Sequence, residues 1–218
     1  DKSFYYCESL TQFTIPSSVT SIGDDCFSGC KSLSQIIIPS SVISIGKRCF
    51  SGCKSLSEIT ISSSVTSIGD ECFFYCSSLQ QISIPSSMTS ISNNCFSFCS
   101  SLISIAFPSV TTIGNGCFYG CKSLTEIKIP SSMISFGNWS FAKCSSITEI
   151  LIPSSMTSIG NKCFSKCSSL TQVTINSKSL EFAEDPFYKC KKLKTIIIPH
   201  DLTFTKLKLP FRTKIRKL

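Results

Sequence analysis

Apolar and polar residues alternate in short bursts along this chain, and the bursts recur. In "SQIIIPSSVISIGKRCF", Ser34 to Phe50, Ile36 and Ile38 flank an outward Ile37. That period of two predicts a short strand. Pro39 follows; lacking an N–H, it ends the ladder. "V-x-x-I-G" then crosses the far side, with Gly46 tolerating the turn. "x-x-C-F-x-x-C" predicts a short helical turn, because positions i and i+4 share a helix face.

The whole phrase, F-x-x-C-x-S-L-x-x-I-x-I-P-S-S-V-x-S-I-G-x-x-C, is marked by nine phenylalanines: Phe4, Phe27, Phe50, Phe73, Phe96, Phe118, Phe141, Phe164 and Phe187. They stand 23 residues apart, except for 22 between Phe96 and Phe118, where "IPSSV" shortens to "FPSV". A period in the twenties is that of a solenoid, each repeat one coil. A single coil cannot bury its own apolar face, whereas stacked coils share one core. Successive strands should pair in parallel, about 4.8 Å apart. The expectation is about nine coils of 22–23 residues over residues 1–202, then a basic cap or tail over 203–218.

These residues resemble a known family. L-x-x-I-x-I-P-x-x-V-x-x-I-G-x-x-(A/C)-F-x-x-C is similar to the leucine-rich repeat of the Treponema pallidum type found in BspA-like proteins. The resemblance runs from Phe4 to about Leu202. It implies an α/β-type leucine-rich-repeat solenoid, curved and right-handed, with a parallel sheet on one face and short helical turns and irregular strands on the others. It also implies frequent display on bacterial or protozoan surfaces, and adhesion or protein binding rather than catalysis. Two departures stand out. The family's alanine before the phenylalanine is mostly cysteine here, and Ser41 sits where longer leucine-rich repeats carry asparagine.

All 15 cysteines fall in two columns. Nine follow the phenylalanine by three residues, from Cys7 to Cys190, and six directly precede it, from Cys26 to Cys163. A ladder of buried free thiols is the leading reading, each a small apolar filler with a weak S–H donor. Disulfides between like cysteines of neighbouring coils are the second, since stacking brings them within bonding range. A metal site is the third; C-x3-C with one histidine in the chain is poor zinc spacing. So many free thiols suit a reducing compartment, whereas the resemblance points to a surface. The localisation is left open, and the "NWS" sequon at Asn138 does not decide it. No apolar run approaches the roughly 18 residues of a membrane-spanning helix. Asp1 opens the chain without an initiator Met or signal peptide, as in a mature or truncated product.

Catalysis is not expected, and no cofactor is implied. His200 is the single histidine and lies at the C-terminal edge, leaving a serine or cysteine nucleophile without a base beside it. No P-loop or dinucleotide fingerprint occurs. The acids Asp24, Asp25, Asp70 and Glu71 occupy variable slots before "CF" and read as a solvated edge.

Function in a solenoid belongs to outward positions. Two columns point out from the strand side, and the candidates for a concave protein- or glycan-binding face are Gln35, Ile37, Glu58, Gln81, Glu126, Lys128, Glu149 and Leu151. Around the phenylalanine turn, Phe74, Tyr75, Phe98, Tyr119 and Trp139 form a candidate contact edge, for a partner or for self-association. Charge is uneven. Residues 1–188 hold 11 Lys+Arg against 12 acids, and residues 189–218 hold 10 against one. Lys206, Lys208, Arg212, Lys214, Arg216 and Lys217 are therefore candidates for electrostatic contacts, although aromatics there are too few for a specific nucleic-acid site. The chain reads as a non-catalytic recognition module, alternatively as a scaffold subunit of an intracellular assembly.

Overall fold

The structure is a computed structural model that describes residues 1–202, 209–210 and 213–217. Among the described residues, seventeen short strands lie on two faces and alternate between them as far as β16. In chain order they are β1 Ser21–Ile22, β2 Gln35–Ile38, β3 Ser44–Ile45, β4 Glu58–Ile61, β5 Ser67–Ile68, β6 Gln81–Ser83, β7 Ser90–Ile91, β8 Ser104–Ala106 and β9 Thr112–Ile113. They continue as β10 Glu126–Ile127, β11 Ser135–Phe136, β12 Glu149–Ile152, β13 Ser158–Ile159, β14 Gln172–Ile175, β15 Glu181–Phe182, β16 Thr195–Ile198 and β17 Lys214–Lys217. Every pairing is parallel. The product is a parallel-strand solenoid of about eight turns. The stretch before β2 joins the main sheet by one bridge, Gln12 to Gln35, so the first of the nine phenylalanines marks an incomplete coil.

The side-chain period of two holds. In β2 and β12, outward residues alternate with buried ones. Ile36 and Ile38 enter the core while Ile37 is 69% exposed. Inside, eight ring-to-ring steps run from Phe4 to Phe187 with centroids 5.1 to 5.8 Å apart and planes nearly parallel. Every ring from Phe27 onward is wholly buried.

The helical turns are corrected: the described residues contain no helix. Residues two before and two after each phenylalanine take positive φ, as at Arg48 (51°) and Gly52 (72°). A right-handed helix cannot pass through two such residues four apart. Local bonds therefore close i→i+3 turns, with Ser28 N–H donating to Asp25 C=O and Cys30 N–H to Phe27 C=O. Every second amide leaves its own coil. The N–H groups of Asp25, Phe27 and Gly29 donate to the carbonyls of Lys47, Cys49 and Ser51 at 2.7 to 2.8 Å. The second face is also more regular than expected, since its two-residue strands form true ladders.

That ladder depends on a close approach. A Cβ on Gly46 would lie 2.6 Å from the backbone of Gly23 and Asp24. Two coils carry another residue: Ala183 keeps the pairing of β13 with β15 and its amide bond to Ile159 C=O, and the other coil carries Ser92. The pairing of β5 with β7 lapses there, and the Ser92 hydroxyl, rather than an amide, donates to Ile68 C=O.

Slots that look variable in sequence form a second ladder. Asp24 Oδ1 accepts from Lys47 N–H, and Asp70, Asn93, Asn115, Asn138 and Asn161 repeat the contact at 2.7 to 2.9 Å. Asp24 and Asp70 are thus rungs, and Asp25 is buried in an ion pair, so these acids are not a merely solvated edge. Lys47 leaves one rung out without disrupting the stack. Asn115→Ala should accordingly cost only about 1 kcal/mol, read as a shift of the urea midpoint. A loss beyond about 3 kcal/mol would show the rung to be more than one hydrogen bond.

Candidate recognition surfaces

On the main strand face the outward columns stand in register. Gln35 pairs with Glu58, Gln81 with Ser104 and Ser104 with Glu126. Farther on, Glu149 pairs with Gln172 and Leu151 with Thr174. Two seams divide this face, because β4 and β6 share no ladder, nor do β10 and β12. Over β6, β8 and β10, reaching the first seam at Ile59, lies a depression of about 440 Å³, with Gln81, Ser83, Ser104, Ala106, Glu126 and Lys128 among its lining. A neighbouring one of about 520 Å³ includes Glu58 and Thr60 and meets it at Ile59 and Gln81. The depression exists because Ser83, Ser104 and Ala106 are small where other coils carry larger side chains. Lys128 Nζ sits 3.6 Å from Glu126 Oε1, both well exposed, a pair of little energetic weight. Ile37 and Leu151, 69% and 57% exposed, stand beyond the two ends of the depression.

Around the phenylalanine turns, four of the five aromatic candidates come together. Tyr75 stacks on Phe98 at 4.8 Å, Phe74 meets Phe98 edge-on at 5.7 Å, and Phe98 meets Tyr119 at 5.2 Å. Phe98 also covers Gly120, where an added Cβ would lie 3.0 Å from its ring. Much of this aromatic area is therefore spent on the protein itself. Trp139 is 46% exposed and, among the described residues, shares no ring contact with the four. It stands before the phenylalanine and they stand after it, on opposite limbs of the turn.

All fifteen cysteines are free thiols, and all but Cys7 are buried. From Cys30 onward those after the phenylalanine share one task, as the Cys53 thiol donates to Phe27 C=O at 3.2 Å and Cys190 to Phe164 C=O at 2.9 Å. Burial pushes the Cys30 thiol up to about 11. Such thiols are poor nucleophiles. Ser140, in the other column, donates its hydroxyl to Gly114 C=O and is fully buried. Among the described residues no three histidine, cysteine or carboxylate side chains converge as a metal site needs.

Near the N-terminal end, Arg48 forks onto Asp25 at 2.8 and 2.9 Å. Those hydrogen bonds hold the Asp25 carboxyl below the usual carboxylate range. At the other end, Lys214, Arg216 and Lys217 lie on β17, which pairs with β16. Lys214 and Arg216 thus continue the two outward columns, opposite Thr195 and Ile197. Lys206, Lys208 and Arg212 lie outside the described residues.

The sequence profile of the BspA type leucine rich repeat region matches residues 1–112 and 89–209, in six copies. The chain belongs to the BspA-type leucine-rich repeat family. This BspA-type solenoid superposes on a leucine-rich repeat protein from Bacteroides ovatus with a TM-score of 0.85 and 35% identity, over 98% of this chain and 58% of that one. It matches the T. pallidum leucine rich repeat protein with a TM-score of 0.67 and 30% identity, over 72% and 76% of the two chains. A leucine rich cell surface protein from Faecalibacterium prausnitzii matches with a TM-score of 0.69 and 25% identity, over 88% and 63%. No curated protein matches. The BspA-type chain spans only 58% of the length of the Bacteroides ovatus protein. No enzyme family is indicated. No helix among the described residues is long and apolar enough to cross a membrane.

Two features of this BspA-type array escaped sequence reasoning. The seams depend on backbone spacing, which residue types do not report. The Asx ladder carried a weak signal, visible only when coils are stacked in register and interrupted by Lys47 and Glu184.

Proposed function

We propose that this protein is a non-catalytic binding module that takes an extended protein segment along its main strand face. The depression over β6, β8 and β10, continued across the β4–β6 seam by its neighbour, carries this reading. It has a floor of small residues, Ser83 and Ala106, and polar groups of both signs at its rim, Gln81, Glu126 and Lys128. Ile37 and Leu151 offer apolar anchors five coils apart, about 24 Å at the usual strand spacing. A peptide of that reach would bury a hydrophobic centre within a polar rim, as protein interfaces do. Recognition at a cell surface is the setting in keeping with the description of the Faecalibacterium prausnitzii relative.

The test is selection of linear peptides on the immobilised protein, followed by titration of the enriched sequences against Ser83→Arg/Ala106→Arg. Both positions point outward, so the arginines fill the depression without entering the core. Affinity should fall at least tenfold while the urea midpoint stays put. Enriched peptides that bind the double variant as tightly as the parent would overturn this placement of the site.

A further inference from the structure

We propose that the phenylalanine-turn edge of the last coils binds a linear sulfated or carboxylated polysaccharide, at a site separate from the strand-face depression. Lys143, Lys166 and Lys189 occupy one column, two residues after Phe141, Phe164 and Phe187. All three are held at positive φ, 62°, 61° and 58°. The rings beneath them are 5.5 and 5.8 Å apart, so their side chains leave the surface at the coil repeat. Lys162, on the opposite limb of the turn, joins them through a shared ring. It lies 5.8 Å from the Tyr188 centroid, and Lys189 lies 5.0 Å from the same ring. Lys143 lies 4.7 Å from Tyr119.

Four cations so close repel one another, and among the described residues none forms an ion pair with a carboxylate. The nearest acids in sequence, Glu184 and Asp185, sit on the limb before Phe187. Nearer the N-terminal end two cations of this edge are matched, Arg48 by Asp25 and Lys31 by Glu8. Residues 137–218 hold 14 Lys+Arg against five acids. An unmatched row of lysines at a fixed repeat fits a polymer whose negative charges also repeat.

The aromatic geometry selects the polymer. Single-stranded nucleic acid binds through rings whose faces are free to stack bases. Here Lys143 lies over Tyr119, Lys162 and Lys189 lie over Tyr188, and Tyr75 is stacked on Phe98. A glycan asks for no stacked base, only cations in line and hydrogen-bonding groups beside them.

The variant Lys143→Gly/Lys166→Gly/Lys189→Gly tests this without threatening the fold. Gly29, Gly52 and Gly120 fill the same slot in other coils at φ of 77°, 72° and 74°. A heparin oligosaccharide is titrated against the parent, the triple variant and Lys54→Ser, with oligothymidylate and phosphatidylserine vesicles as parallel probes. The oligosaccharide should bind the parent and Lys54→Ser alike. It should bind the triple variant at least tenfold more weakly, with the log–log salt slope reduced by about three, one per lysine. Unchanged affinity in the triple variant would refute the site. Binding of oligothymidylate or vesicles as tight as that of the saccharide would refute the polymer assigned to it.

Discussion

Taken from about pH 8 to about pH 10 in the presence of reductant, the protein should unfold in one cooperative step. Ten thiols, those of Cys49, Cys53, Cys72, Cys76, Cys95, Cys99, Cys117, Cys121, Cys144 and Cys163, are wholly buried. Burial raises the pKa of every one of them. Above the ordinary thiol range the unfolded chain releases protons that the folded chain keeps. Stability is therefore complete below the unfolded pKa and falls as pH rises beyond it. Each thiol contributes a slope of about 1.4 kcal/mol per pH unit. Ten of them consume about 14 kcal/mol within roughly one unit, the scale of a domain's whole stability of about 5–15 kcal/mol. Circular dichroism and thiolate absorbance, followed together, read the outcome. Thiolate absorbance that grows near pH 9 while the sheet signal persists at about pH 10 would mean that the column ionises in place, and that burial does not govern it.

The second large effect belongs to the phenylalanine column. Phe96 is fully buried, with its ring 5.3 Å from Phe73 and 5.5 Å from Phe118. Phe96→Ala should lower the unfolding free energy by about 3–5 kcal/mol, since no neighbouring ring can fill the gap without leaving its own coil. Stability in a repeat array is a sum of coil and interface contributions. A hole in the middle should therefore also divide the urea transition, lowering its apparent m-value. A loss below about 1 kcal/mol with an undivided transition would show that the stack is not what holds the coils together.

Particular residues show how far the sequence could be read. The alternation of Ile36, Ile37 and Ile38 placed the main sheet correctly, because burial on a pleated strand has period two and no other element nearby mimics it. The spacing of Cys49 and Cys53 was misleading. Their i, i+4 separation suits a helix, but the left-handed residues at Arg48 and Gly52 turn alternate amides toward the next coil. Gly52 hinted at this and Arg48 gave no sign. The outward columns could be listed residue by residue. Their depth was not drawn from that list, although Ser83, Ser104 and Ala106 fall together in those columns and leave the depression above them. In the same way the order Phe74, Tyr75, Phe98, Tyr119 marked an aromatic edge, and Trp139, which precedes its phenylalanine where they follow theirs, stands apart from it on the other limb of the turn.

The one-way amides of the turn edge bear on how such arrays change in length. Each coil offers donors toward the following coil and carbonyls toward the preceding one, as Asp25 does with Lys47 and Lys2 does with Asp24. Any coil can thus succeed any other in the same sense, and none can be inserted reversed. Duplication or loss of a whole 23-residue unit leaves every junction chemically equivalent, whereas a change of half a unit strands donors against donors. Copy number becomes a freely heritable variable, and the reach of the array can evolve without redesign of its core.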